Sequence, residues 1–280
     1  MKEIFTMLLT ASKFSELHFQ AQPISPVVLL PGIGMILVAL VFIGYALLRR
    51  LGFRYLVFGG VAWVVAVALK FAWALPVNPP VYQALTGSLP EGFGQFIFYI
   101  YVGALTGVFE VAVVWLFLRY TRFGKVPWQK ALAFGIGFGS LEALLLGFSS
   151  LVTLLTALLA PDQFTTEALA QLALTSNVLF GLAPIVERAA TILVHIFTSV
   201  LIFYEIQTHQ PRWFWAAFVY KTALDSVAAF AQFWGVNTLA RIWTIEGIII
   251  LFGLFAWWGI RWVAVRYPHT LPPEEHQPAV

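Results

Sequence analysis

The sequence predicts an all-α fold: a polytopic membrane helix bundle of about seven transmembrane helices, preceded by an N-terminal interfacial helix. Three observations carry this. Of the 280 residues, 60% are hydrophobic and 10% are charged, where a soluble domain carries about 25% charged residues. The mean hydropathy is +0.86. The apolar residues also cluster into runs long enough to cross a bilayer, which takes about 20 residues per helix. The net charge of +3, from 16 Lys and Arg against 13 Asp and Glu, is too small and too scattered for a nucleic-acid binder. The absence of cysteine excludes disulfides, thiolate metal sites and cysteine nucleophiles.

In chain order, residues 1–22 mix charges with apolar side chains around no long apolar core, so they read as a helix lying in the interface rather than a signal peptide. Seven spans follow at 27–48, 55–75, 96–118, 130–157, 178–205, 213–235 and 242–263. The connections 76–95 and 158–177 contain no Lys or Arg and are long for turns, so short helices or re-entrant pieces are expected there. Residues 1–266 form a single integral-membrane domain, and the proline-rich stretch 267–280 reads as a disordered cytoplasmic tail. Ten Lys and Arg between Arg49 and Arg266 fall on one side, against Lys2, Lys13 and Arg241 on the other. The positive-inside rule then puts the amino terminus outside and the carboxyl terminus in the cytoplasm, in a prokaryotic-type plasma membrane.

Charges remain inside the spans: Lys70, Arg188 and Lys221 against Glu110, Glu142, Glu187 and Asp225, with His195 among them. At mid-helix each unpaired charge costs about 2.5–3.5 kcal/mol, so these groups must pair, face the bundle interior or line water. One carboxylate is in excess, and a buried carboxylate without a partner is a reasonable general base. The third span carries Gly103, Gly107 and Glu110, and the fourth carries Gly135, Gly139 and Glu142. Positions i, i+4 and i+7 share one helical face. Small-residue faces allow close approach, so the two antiparallel helices are expected to pack glycine face to glycine face and bring both carboxylates together. Arg188 and His195 share a face of the fifth span, and Lys221 and Asp225 share a face of the sixth. The simplest reading of that last pair is an intrahelical ion pair.

The stretches GIGFGSLEALLLG, ERAATILVHIFTSVLI and LDSVAAF resemble the YhfC family of prokaryotic membrane proteins, which are regarded as intramembrane peptidases related to the CAAX-protease and bacteriocin-processing superfamily. The resemblance covers about residues 50–235. It implies a site of Glu110, Glu142, Glu187, Arg188, His195 and Asp225, in which an intramembrane glutamate activates water. Where the family often has a second glutamate, a histidine and a further histidine, this chain has Val111, Phe138 and Lys221. His195 is thereby left as the one histidine within the spans, so neither a zinc site, which favours three protein ligands rich in His, nor any cofactor is expected.

The resulting expectation is a glutamate-dependent peptidase acting on a membrane-protein or lipopeptide substrate among membrane lipids. Glu142 or Glu187 would take the water proton, His195 would orient it, and Arg188 or Lys221 would offset developing charge. A proton-linked transporter or channel, or a catalytically inactive scaffold of the same fold, would use the same buried groups differently. Oligomeric state is not legible.

Overall fold

The computed structural model describes residues 25–268 except 91 and 175. The expected interfacial helix and nearly all of the tail lie outside the described residues. Within them the chain forms α1 (Leu30–Leu48), α2 (Phe53–Ser88), α3 (Phe93–Arg119), α4 (Trp128–Leu159), α5 (Thr166–Leu174), α6 (Val178–Thr208), α7 (Pro211–Trp234) and α8 (Leu239–Arg266).

Six of these helices, α1, α2, α3, α4, α6 and α8, are long and apolar enough to cross a membrane. Helix α7 corresponds to the remaining expected span and packs against α3 and α6. It is less apolar than those six, with Lys221 and Asp225 in its middle. The expected outer connections resolve into helix: α2 runs on through Pro76, Pro79 and Pro80 to Ser88, and α5 fills much of the second connection. Tyr267 is not part of a free tail. It is 1% exposed and its hydroxyl donates to the Val126 carbonyl.

Local chemistry sets the helix ends. The Asn177 side chain accepts from the Leu179 amide at the start of α6, and Thr238 does the same for Arg241 at the start of α8. Helix α6 ends at His209, held in the left-handed region at φ 53°. Residues Gln210 and Pro211 then start α7 at once, since proline suits the first helical turn.

Helix α6 is the centre of the bundle, packed against α1, α4, α7 and α8. Its apolar window is 83% buried, whereas those of the other spanning helices are 17–44% buried. Their outward faces carry Val41, Leu48, Phe148 and Val265, all well exposed, as lipid-facing surfaces require. Packing between α2 and α4 is backbone on backbone. A side chain at Gly59 would strike the Phe134 carbonyl, and one at Gly137 would strike the Leu56 carbonyl.

The glycine faces of α3 and α4 do not meet each other. A side chain at Gly103 or Gly107 would run into Thr222 and its neighbours on α7, and one at Gly135 or Gly139 would meet Ile192, His195 and Ile196 on α6. Each glycine face takes a partner other than its sequence neighbour, because α6 and α7 offer the small or polar positions that let backbones close.

Replacing Gly137 with Leu is expected to lower stability in detergent by at least about 1–3 kcal/mol, the usual cost of overpacking. Gly44→Ala, where nothing lies within 4 Å of an added Cβ, serves as the control. Thermal unfolding of the purified variants checks the contrast, which equal melting temperatures would remove.

Candidate active site

The close helix approaches deliver the charged residues to one place. Gly139 sits against His195, with an added Cβ meeting the histidine Cβ at 3.0 Å. One turn further along α4, Glu142 therefore reaches His195, with Oε2 2.8 Å from Nε2. Gly103 and Gly107 draw α3 onto α7, which brings Glu110 Oε2 to 3.4 Å from Lys221 Nζ. The Gly59 contact draws α2 onto α4, where the Trp63 indole N–H donates to Glu142 Oε2 at 3.0 Å. Two turns along the same face of α2, Lys70 donates to Glu110 Oε1 at 2.5 Å.

Glu110 lies in a feature the sequence did not reveal. Residues Gly107–Ala112 of α3 form a π-helical turn, with Glu110 and Val111 buried in it. Such one-turn bulges are often found at functional sites.

These groups line a cavity of about 480 Å³, within the roughly 300–1,000 Å³ typical of ligand sites. All six residues singled out from the sequence border it: Glu110, Glu142, Glu187, Arg188, His195 and Asp225. Arg188 bridges two of them, donating to Glu142 Oε1 and to Glu187 Oε1. Lys221 also approaches His195 Nε2 at 3.4 Å and Asp225 Oδ1 at 3.7 Å. The intrahelical Lys221–Asp225 pair therefore exists, but the lysine lies closer to Glu110 and His195.

The lining holds Lys70, Arg188 and Lys221 against Glu110, Glu142, Glu187 and Asp225, one negative charge in excess with His195 neutral. Glu142, Asp225 and Glu187 retain 18%, 23% and 28% of their side-chain exposure, whereas His195, Glu110 and Lys221 keep 5% or less. The first three are thus the acids a bound molecule can reach.

Two residues of the cavity wall, Trp63 and Asn78, and two buried glutamates that do not line it are not marked by the sequence reading. Trp63 stands seven residues before Lys70 and could have been found from that spacing. Asn78 borders the cavity with its Oδ1 buried and unpaired. Glu246 on α8 is 3% exposed, and its Oε2 has no hydrogen-bond partner among the described residues. Its place in the apolar run 242–263 marked it by the same count that found Glu142. Glu205 on α6 is 2% exposed and accepts from Arg119 at 2.9 Å and from Trp115, a lock remote from the cavity.

A multi-helix membrane bundle with a buried layer of acids, bases and one imidazole defines the class of protein. The chain belongs to the YhfC intramembrane metalloprotease family, whose family model matches residues 34–249. It is also 28% identical over 155 residues to the Bacillus subtilis (strain 168) protein named "Uncharacterized membrane protein YhfC". That match covers 50% of this chain and 56% of the relative, so the chain spans little more than half the length of the curated relative it matches. No solved structure matches the chain.

The family description names a metal. Glu110, Glu142 and His195 each bring one ligand atom within 4.8 Å of the others, and three protein ligands with an open position would suit catalytic zinc. Other partners already stand against most of these atoms, however. Glu142 Oε2 and His195 Nε2 stand 2.8 Å apart, close enough for a hydrogen bond. Lys221 Nζ lies 3.4 Å from both His195 Nε2 and Glu110 Oε2. Lys70 and Arg188 hold the other carboxylate oxygens. The donor set as arranged does not fit a divalent ion.

Arg188→Leu is expected to cost about 3–5 kcal/mol by stranding Glu142 and Glu187. The double variant Arg188→Leu with Glu187→Leu should recover part of that loss. Unfolding midpoints in detergent measure both, and a double variant no more stable than the single one would refute the bridging role.

Proposed function

We propose that the protein is a glutamate-dependent intramembrane peptidase that hydrolyses a peptide bond of a membrane-associated substrate. The observation that carries this reading is the Glu142–His195 contact of 2.8 Å at the wall of the 480 Å³ cavity. A partly exposed carboxylate and an imidazole at hydrogen-bond distance, lining one cavity, are the parts that general-base hydrolysis needs.

In this reading Glu142 takes a proton from water as the water oxygen bonds to the substrate carbonyl carbon. The tetrahedral oxyanion is stabilised by the Lys221 ammonium, a preorganised cation beside His195. Collapse breaks the C–N bond, and Glu142 returns its proton to the leaving amine. Arg188 holds Glu142 Oε1, and Trp63 and His195 hold Oε2, so the base has a defined orientation. Glu187 and Asp225, more exposed at the cavity wall, bind or orient the substrate. The amino terminus is taken as outside and the carboxyl terminus as cytoplasmic on the ten-to-three distribution of basic residues.

One observation favours a second reading. Glu187, Arg188, Glu142, His195, Lys221, Glu110 and Lys70 form an unbroken series of contacts, which is also how a proton relay is built.

Glu142→Gln and His195→Ala are each expected to reduce cleavage of a co-expressed single-span membrane reporter by about 10²–10⁴-fold, with the protein still accumulating. Cleavage at wild-type rate in both would eliminate the peptidase reading. Proton flux in reconstituted vesicles, lost on Glu110→Gln, would favour the relay instead.

A further inference from the structure

We infer that the cation serving the Glu110–Glu142–His195 cluster is the protein's own Lys221 ammonium, standing where a divalent ion would stand, and that this chain carries no resident metal. The inference goes beyond the peptidase reading and does not depend on it.

Geometry supplies the first support. Three donor atoms within 4.8 Å of one another define the place for an ion. Lys221 Nζ is 3.4 Å from two of those residues, at His195 Nε2 and Glu110 Oε2, and 3.7 Å from Asp225. Lys221 is 4% exposed and sits within the stretch of α7 that packs on Gly103 and Gly107 of α3. The backbone that carries it is thus held beside the cluster by close helix packing.

Charge supplies the second. The cavity lining carries three cations against four carboxylates. Adding a divalent ion would turn one excess negative charge into one excess positive charge, while leaving an ammonium a few ångströms away to repel it. Glu110 Oε2, buried with no hydrogen bond, is the atom an ion would be expected to claim, and Lys221 is the cation facing it. Lys70 and Arg188 point to the opposite oxygens of the two carboxylates, so Glu110 is bracketed by two lysines, and Glu142 has Arg188 on one oxygen and the Trp63 indole on the other.

The test measures metal rather than activity. The full chain, purified in detergent from zinc-replete cells and dialysed, is expected to hold well below one equivalent of metal by elemental analysis. On titration with cobalt(II) it should develop no visible absorption and no thermal stabilisation. Lys221→Met keeps a long, buried side chain but removes the charge, and should bind cobalt(II) on the order of 100-fold more tightly, with new visible bands and a raised melting temperature. Lys221→Gln is the second variant should the first fail to fold. One equivalent of metal in the wild-type chain overturns the inference even if neither variant accumulates. So does cobalt(II) affinity unchanged from wild type in folded variants. Loss of the peptidase reading through Glu142→Gln would leave the metal measurement untouched, so the two failures are distinguishable.

Discussion

The structure depends on the requirement that charge within an apolar bundle be compensated by other charge. Lipid offers no water to hydrate an exposed ion, so a lone carboxylate or ammonium at mid-helix costs several kcal/mol. Around the cavity this chain meets the requirement with a continuous series, and Arg119 with Glu205 forms a separate pair. Arg188 joins Glu187 to Glu142, Glu142 meets His195, and Lys221 links His195 to Glu110, which Lys70 closes from α2. Because the members come from α2, α3, α4, α6 and α7, the same contacts that neutralise the charges also fasten these helices together. The cavity remains where the series is incompletely buried, at Glu142, Glu187 and Asp225.

Helix approach sets the register of that series. Glycines on α2, α3 and α4 let backbones close until carbonyls and side chains of the neighbour occupy the space a Cβ would take. At such separations a one-residue slip is sterically blocked, so the polar groups one turn beyond each contact are held in place. This is why Glu142 is found beside His195 and Glu110 beside Lys221. The glycine faces act as positioning devices for the acids that follow them, each on a helix distant in sequence. In this chain Lys221 stands beside the Glu110–Glu142–His195 donor cluster, 3.4 Å from both His195 Nε2 and Glu110 Oε2.

Much of the site was legible because lipid makes charge conspicuous. Glu110, Glu142, Glu187, Arg188, His195 and Asp225 stood out against apolar surroundings, and each of them borders the cavity. Glu246 and Glu205 were equally visible and went unweighed, one inside a run rich in isoleucine and the other at a span end. Trp63 was not marked by charge, since its role rests on a single indole N–H reaching Glu142. The expected pairing of the α3 and α4 glycine faces failed because small-residue spacing reports that a helix will approach something closely without naming the partner.

The sequence by itself determined that the chain is a helical membrane bundle, roughly where its spans fall, and which residues would have to seek one another inside it. Those properties follow from one-dimensional patterns, namely run length, helical periodicity and the cost of charge in lipid. Tertiary structure alone decided which acid meets which base, where α3 relaxes into a π-helical turn around Glu110, and that Lys221 turns toward His195 and Glu110 rather than only toward Asp225. These depend on which helices are neighbours and at what rotation, and that choice is made by packing between segments far apart in the chain.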